Sequence, residues 1–222
     1  MRAESDFSIE NEGSEELGGE HLRVLLDYIR RTEFKRMLNR IVMAQAEEGF
    51  RSISVLSEYP EEGRSFFISA LALAYTRYLH SRVLIVETIE QTKNRSLFLQ
   101  SVVGEHLPES ENPHFEDDPG YIDLLTTRSL GEGEYDTADF QIGKYLQKLE
   151  GRYDLVLVDT CPLSEVNARS IDPYIIARHT EAAVLITSPQ SMKRSIVSPI
   201  VEQVKRMGVR LLGTVYNGFA VQ

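Results

Sequence analysis

The stretch Arg51–Ser69 places narrow limits on the fold of this chain. It reads Arg-Ser-Ile-Ser-Val-Leu-Ser-Glu-Tyr-Pro-Glu-Glu-Gly-Arg-Ser-Phe-Phe-Ile-Ser. Ile53, Val55 and Leu56 make an apolar-rich, alternating run of strand length. The run breaks at Pro60, reaches Gly63 and passes directly into an apolar-periodic stretch from Phe66 to Leu79. Strand, tight loop, glycine, serine and helix is the layout of a phosphate-binding loop, in which backbone N–H groups and a helix N-terminus face an anion. The consensus of such a loop is G-x-x-x-x-G-K-S/T. Here Glu58 holds the first glycine position and Arg64 the lysine position, so the frame survives while its most chemical residue is exchanged.

The remaining apolar runs say how that unit is continued. Arg82–Glu87, Tyr153–Asp159 and Ala182–Thr187 are continuous apolar runs of strand length, and Val209–Tyr216 is a fifth strand candidate. Runs without alternation mark strands covered on both faces. Helical stretches lie between them: Phe140–Leu149, and Met192–Met207 with a break or bend expected near Pro199. Pro119-Gly120 is expected to open a short helix through Leu125, with loops at 104–119 and 128–136. Alternating strands and helices predict an α/β fold with a mainly parallel, doubly covered sheet. Ligands bind at the carboxyl ends of such strands, here Ser57, Glu87, Asp159, Ser188 and Asn217.

Upstream, residues 1–20 carry seven carboxylates among Gly and Ser and are expected to form a disordered acidic leader. Residues 21–222 are expected to form one domain, with a helical segment at 21–48 and an α/β core at 49–222. Leu22, Leu25, Leu26 and Ile29, then Phe34, Met37, Leu38, Ile41 and Val42, mark two helices or one bent near Arg31-Thr32. Glu33, Arg36 and Arg40 share the opposite face of the second helix, either a solvated surface or a docking surface for an acidic partner or another copy of the chain.

Charge and cysteine content exclude several function classes. The chain has 222 residues, a net charge of -10 and one cysteine. An acidic surface argues against nucleic acid as the main partner, and one cysteine allows no internal disulfide. No apolar run reaches the roughly 20 residues of a membrane span. The five histidines lack paired spacing for zinc. A cytoplasmic protein is expected.

The chemistry-bearing residues cluster at the strand ends. Gly63 lets backbone approach a phosphate, or is simply a helix-start glycine. Ser65 stands where a loop hydroxyl would ligate magnesium, or is an ordinary N-terminal serine. Arg64 has the charge for phosphate, but its long planar fork does not reproduce a lysine's compact contact. Glu58, Glu61 and Glu62 oppose polyphosphate unless they point away. Asp159 is the expected partner of a magnesium-bound water, and Glu87 closes its strand similarly as a base or metal-shell ligand. Cys161, without an obvious base, reads as packing.

These motifs together resemble the cytoplasmic kinase domain of the bacterial tyrosine kinases that control capsule and exopolysaccharide export, within the deviant-Walker P-loop ATPases of the partition and division-site type. The resemblance runs from about Glu33 to Gly218. Ser57–Ser65 resembles the family's S-P-x-P-G-E-G-K-S loop, with Pro60, Glu62, Gly63 and Ser65 kept. Arg82–Glu87 is similar to R-V-L-L-I-D, and Pro119–Leu125 to P-G-L-S-D-L-L. Tyr153–Pro162 resembles Y-D-x-V-I-I-D-T-P-P, with Asn167-Ala168 at the family's D-A, and Leu212–Asn217 resembles L-G-V-V-L-N. The resemblance implies ATP and magnesium as cofactors. It implies Glu62, Gly63, Arg64, Ser65, Phe66 and Asn217 at the nucleotide, Ser65 and Asp159 at the metal, and Arg64, Glu87 and Asp159 as catalytic positions. It also implies Glu33, Arg36 and Arg40 at a subunit interface, a membrane polysaccharide co-polymerase or adaptor as partner, a possible homo-oligomer, and inner-membrane association through that partner.

The departures are specific. Arg64 replaces the lysine, Glu61 a loop glycine, Glu87 the first aspartate of the second motif and Ile89 the second. Asn39 replaces the last arginine of E-x-x-R-x-x-R, and the chain ends at Gln222 without a tyrosine-rich tail. A degenerate, regulatory kinase-like domain is the expected function. The alternatives are an active tyrosine kinase or ATPase using Arg64, and a partition-type localisation ATPase.

Overall fold

The computed structural model describes residues 19–88, 97–103, 120–126, 135–167 and 170–218, without the side chains of 97 and 135–141. The expected leader up to residue 18, the loop at 104–119 and Ile89 lie outside the described residues.

Six parallel strands form the sheet: β1 (Ser52–Ser57), β2 (Val83–Glu87), β3 (Ile122–Thr126), β4 (Leu155–Asp159), β5 (Ala182–Thr187) and β6 (Leu211–Tyr216). Their order is β3-β2-β4-β1-β5-β6. The helices are α1 over residues 19–29, α2 (Thr32–Glu48), α3 (Arg64–Leu79), α4 (Leu97–Val102), α5 (Tyr135–Glu150), α6 (Pro173–His179) and α7 (Arg194–Arg206). The first strand is central, between β4 and β5, so the loop leaving it faces the crevice where the chain departs to either side.

The continuous apolar runs are explained by two-sided burial. Along β2, Val83 and Ile85 face one core while Leu84 and Val86 face another; β4 divides the same way, Leu155 and Leu157 against Val156 and Val158. The first core is filled by α1, α2 and α3, and the others by α5, α6 and α7. Period-2 side-chain direction with apolar cover on both sides removes the alternation a half-exposed strand would show. Helix α3 is buried on nearly every side from Phe67 to Thr76, because it lies between the sheet and the N-terminal helices. The hydroxyl of Tyr75 donates to Gln45 Oε1 at 2.9 Å and so ties α3 to α2. The break expected near Arg31 is real: α1 ends at 29 and α2 starts at Thr32. Pro199, by contrast, lies inside α7 without ending it.

One element differs from expectation. The segment after Gly120 is the edge strand β3, paired in register with β2 from Val83↔Ile122 to Glu87↔Thr126, and not a short helix. Gly120 crosses so close to His80 and Ser81 that a Cβ there would strike their backbone, which delivers Tyr121 O to Val83 N at 2.9 Å. The open edge of β2 therefore captures a short apolar run whose sequence fits either period.

Candidate functional site

The phosphate-loop frame is present at the carboxyl end of β1. Gly63 adopts φ +95 as the N-cap of α3, a conformation L side chains avoid. A Cβ on Gly63 would also clash with the Asn217 carboxamide, whose Nδ2 donates to Glu62 O at 3.0 Å. The last strand thus reaches the loop through Asn217. Glu61, in the position of a loop glycine, holds φ +60 and carries the strain of a left-handed turn.

Glu62 turns its carboxylate inward. Its carboxylate is buried and accepts hydrogen bonds from Tyr59 N (3.0 Å), Ser188 N (3.2 Å), Ser188 Oγ (2.7 Å) and Ser191 Oγ. One side chain therefore clamps the phosphate loop to the turn after β5. Glu58 stands at the loop with a raised carboxyl pKa, from partial burial and then from the charge of Glu62.

Arg64 is also turned inward, only 8% exposed. Its Nη1 donates to Ser57 Oγ and to Tyr59 O (3.3 Å), while Ser57 Oγ donates to Tyr59 O at 2.9 Å. Its Nε lies 3.5 Å from Asp159 Oδ1, an ion-pair contact in which neither atom has a hydrogen-bond partner. The other oxygen of Asp159 accepts from Ser65 Oγ at 2.6 Å. Burial pushes the Asp159 carboxyl above the ordinary aspartate range, and Arg64 and Ser65 pull it only partly back. Glu87, also buried, is level with Asp159 in the β2–β4 register. Thr88 continues that pairing, its N and Oγ1 donating to Asp159 O at 3.1 and 2.8 Å.

Of the expected residues, the structure brings Glu62, Gly63, Arg64, Ser65, Phe66, Glu87, Asp159 and Asn217 to one end of the sheet. Glu33, Arg36 and Arg40 are exposed on α2, away from its buried Phe34, Leu38 and Ile41. Ser191 and Thr88 carry no sequence signal that would place them at the site. Ser188 was marked as a strand end, but its bond to a carboxylate 126 positions earlier leaves no local signal.

The oxygen donors fit a hard divalent cation: a serine hydroxyl beside an aspartate is the donor set magnesium accepts through water. Arg64 competes for the same carboxylate. Among the described residues no group of three or more His, Cys, Asp or Glu could hold a metal by itself. No described helix is long and apolar enough to cross a membrane.

No family model matches the chain. Tyrosine-protein kinase YwqD of Bacillus subtilis is 22% identical over 202 residues, covering 84% of this chain and 80% of that protein. The kinase domain of the Escherichia coli tyrosine kinase ETK superposes with a TM-score of 0.59 at 22% identity, over 81% of this chain and 72% of that one. The kinase domain of VpsO gives 0.59 at 15% identity, over 95% and 98%. The chain is similar to bacterial tyrosine kinase domains in sequence and in fold, and that fold is the α/β sheet of the P-loop NTPases.

Proposed function

We propose that this chain is a regulatory, kinase-like P-loop domain whose nucleotide chemistry is weak, acting through protein contacts in capsule or exopolysaccharide export. The observation that carries this reading is the inward course of Arg64: its guanidinium is engaged with Ser57, Tyr59 and Asp159. Phosphoryl transfer depends on positioned charge at the transferring group, and a cation bound to its own loop does not supply it. Asp159 answers that cation and accepts from Ser65, so the same contacts hold the carboxylate and hydroxyl of a magnesium site. Magnesium, when bound with ATP, would neutralise phosphate charge; Ser65 and Asp159 would hold it and the backbone after Gly63 would face the phosphates. Partners would meet the exposed α2 face through Glu33, Arg36 and Arg40, joining further copies of the chain or the cytoplasmic part of a membrane polysaccharide co-polymerase.

A second reading, an active kinase or ATPase, draws support from the Ser65–Asp159 bond and the neighbouring Glu87. ATP turnover with magnesium separates the two. Turnover at background in wild type, with a gain in Arg64→Lys, supports the regulatory reading. Robust wild-type turnover abolished in Arg64→Ala would overturn it. For the interface, Arg36→Glu is expected to lower mass in solution or partner binding, and no change in either would leave α2 as a solvated face.

A further inference from the structure

A cleft of about 460 Å³ lies between Glu58 of the phosphate loop, Tyr174 of α6 and one face of α7. That volume is within the range of small-molecule sites, roughly 300–1,000 Å³. Ile196 and Pro199 give the cleft apolar surface, and Tyr174, Ser195 and Gln203 line it with uncharged polar groups.

Three charged side chains also line it: Glu58, Glu202 and Arg206. Arg206 Nη2 donates to Glu202 at 3.2 Å, one turn away on α7, so these two charges offset each other. Glu58 is left over. It is half-buried, and among the described residues its carboxylate accepts no hydrogen bond and joins no ion pair. The hydroxyls of Tyr174 and Ser195 and the Gln203 carboxamide are likewise uncommitted among the described residues.

The neighbouring groups register this surplus negative charge. Partial burial and then the charge of Glu62 raise the Glu58 carboxyl pKa, while burial and then the charges of Glu58 and Asp172 raise the Tyr174 phenol. Arg64 does not answer Glu58, because its guanidinium is bonded to Ser57 and Tyr59 on either side. Lys193 and Arg194, just before Ser195, are exposed and outside the lining.

We propose that this cleft binds a guanidinium group carried on an aliphatic stem. The Glu58 carboxylate accepts from the guanidinium fork, oxygens of Tyr174, Ser195 and Gln203 accept from its remaining N–H groups, and the stem covers Ile196 and Pro199. A guanidinium presents five donors in one plane and pairs with a carboxylate through two of them. An ammonium is a more strongly hydrated point charge and gains less from such an array. The proposal goes beyond the nucleotide reading and does not depend on it.

The test titrates the full nitrogen-15-labelled chain with propylguanidine and with Nα-acetyl-arginine methylamide, following the Ser195 and Gln203 signals. Both probes are expected to give saturable shifts at low salt, weakened at high salt. Nα-acetyl-lysine methylamide should bind more weakly. Glu58→Gln, checked by urea unfolding, should weaken the arginine probe about tenfold, as for loss of a charge-assisted hydrogen bond. Tyr174→Phe keeps the ring and should cost about threefold. Glu47→Gln, at an exposed carboxylate of α2 outside the cleft, should bind like wild type. Arginine-probe binding at least as tight as that of propylguanidine assigns a partner chain as the source, and weaker binding assigns a free small molecule; both uphold a guanidinium site. No saturation by either probe, equal binding of the lysine probe, unchanged affinity in Glu58→Gln, or an equal loss in Glu47→Gln would overturn the proposal. ATP turnover enters none of these arms, so their failure leaves the kinase-like reading standing, and failure of that reading leaves the cleft.

Discussion

Arg82 and Asp154 meet at the amino rim of the sheet, Arg64 and Asp159 at the carboxyl rim, and the two pairs differ in almost every respect. At the amino rim Asp154 receives Arg82 N (2.8 Å), Nε (3.1 Å) and Nη2 (3.0 Å), with both side chains nearly half exposed. At the carboxyl rim the pair is buried, the facing atoms are 3.5 Å apart, and neither makes a hydrogen bond. The exposed pair has the better geometry and the smaller stake, because water screens it and would replace it. The buried pair has the poorer geometry and the larger stake, since losing one member strands a charge in a medium that does not solvate it. The contacts of Arg82 with Asp154 are thus satisfied, whereas the facing atoms of Arg64 and Asp159 are not.

The largest expected effect comes from breaking the buried pair. Asp159→Ala should destabilise the protein by about 3–5 kcal/mol, through the uncompensated Arg64 charge. Adding Arg64→Met should recover much of that loss, measured by urea unfolding. Equal losses in the single and double variants would mean that the pair is not the source of the cost.

A second effect probes the frame and not the charges. Gly63→Ala adds a methyl at φ +95 against Asn217, and is expected to cost about 2 kcal/mol from backbone strain alone. Asn217→Ala should relieve only the clash, so the two substitutions together should cost less than their sum. Strict additivity would show that the last strand does not brace the loop.

The smallest effect is at the amino rim. Asp154→Asn should cost no more than about 1 kcal/mol, given solvent screening of an exposed pair. The pH dependence gives a sharper contrast. Hydrogen bonds from Arg82 hold the Asp154 carboxyl below the ordinary aspartate range. Its stabilisation is therefore present above an ordinary aspartate pKa of about 3.9 and lost as pH falls through the lowered value. Burial raises the carboxyl of Asp159, so its proton-linked stabilisation is complete below that ordinary value and lost as pH rises through the raised one. Toward acid, the stability gap between wild type and Asp154→Asn should shrink while that between wild type and Asp159→Asn grows. Unfolding series across pH check both, and gaps moving in the same direction would contradict the opposed environments.

The same contrast explains what could be read from the sequence. Apolar runs such as Val83–Val86 and Leu155–Val158 announce strands buried on both faces, and the Ser57–Ser65 spacing announces the loop. The segment Ile122–Thr126 is five residues long, too short for its period to separate strand from helix, and only the open edge of β2 decides it. Glu62 is legible as a loop residue, but the bonds of its carboxylate to Ser188 and Ser191 are not, because only the folded sheet brings those residues near. Arg64 as a substitution was visible; its inward direction was not, because a side chain's heading depends on Ser57, Tyr59 and Asp159 together.

The Arg64 Nε–H signal in a nitrogen-15 spectrum tests that inward course most directly. Assigned by its absence in Arg64→Lys, it should exchange slowly with water, and stay slow when ATP and magnesium are added. A signal that exchanges like an exposed arginine, with or without nucleotide, would contradict an Arg64 held by its own loop.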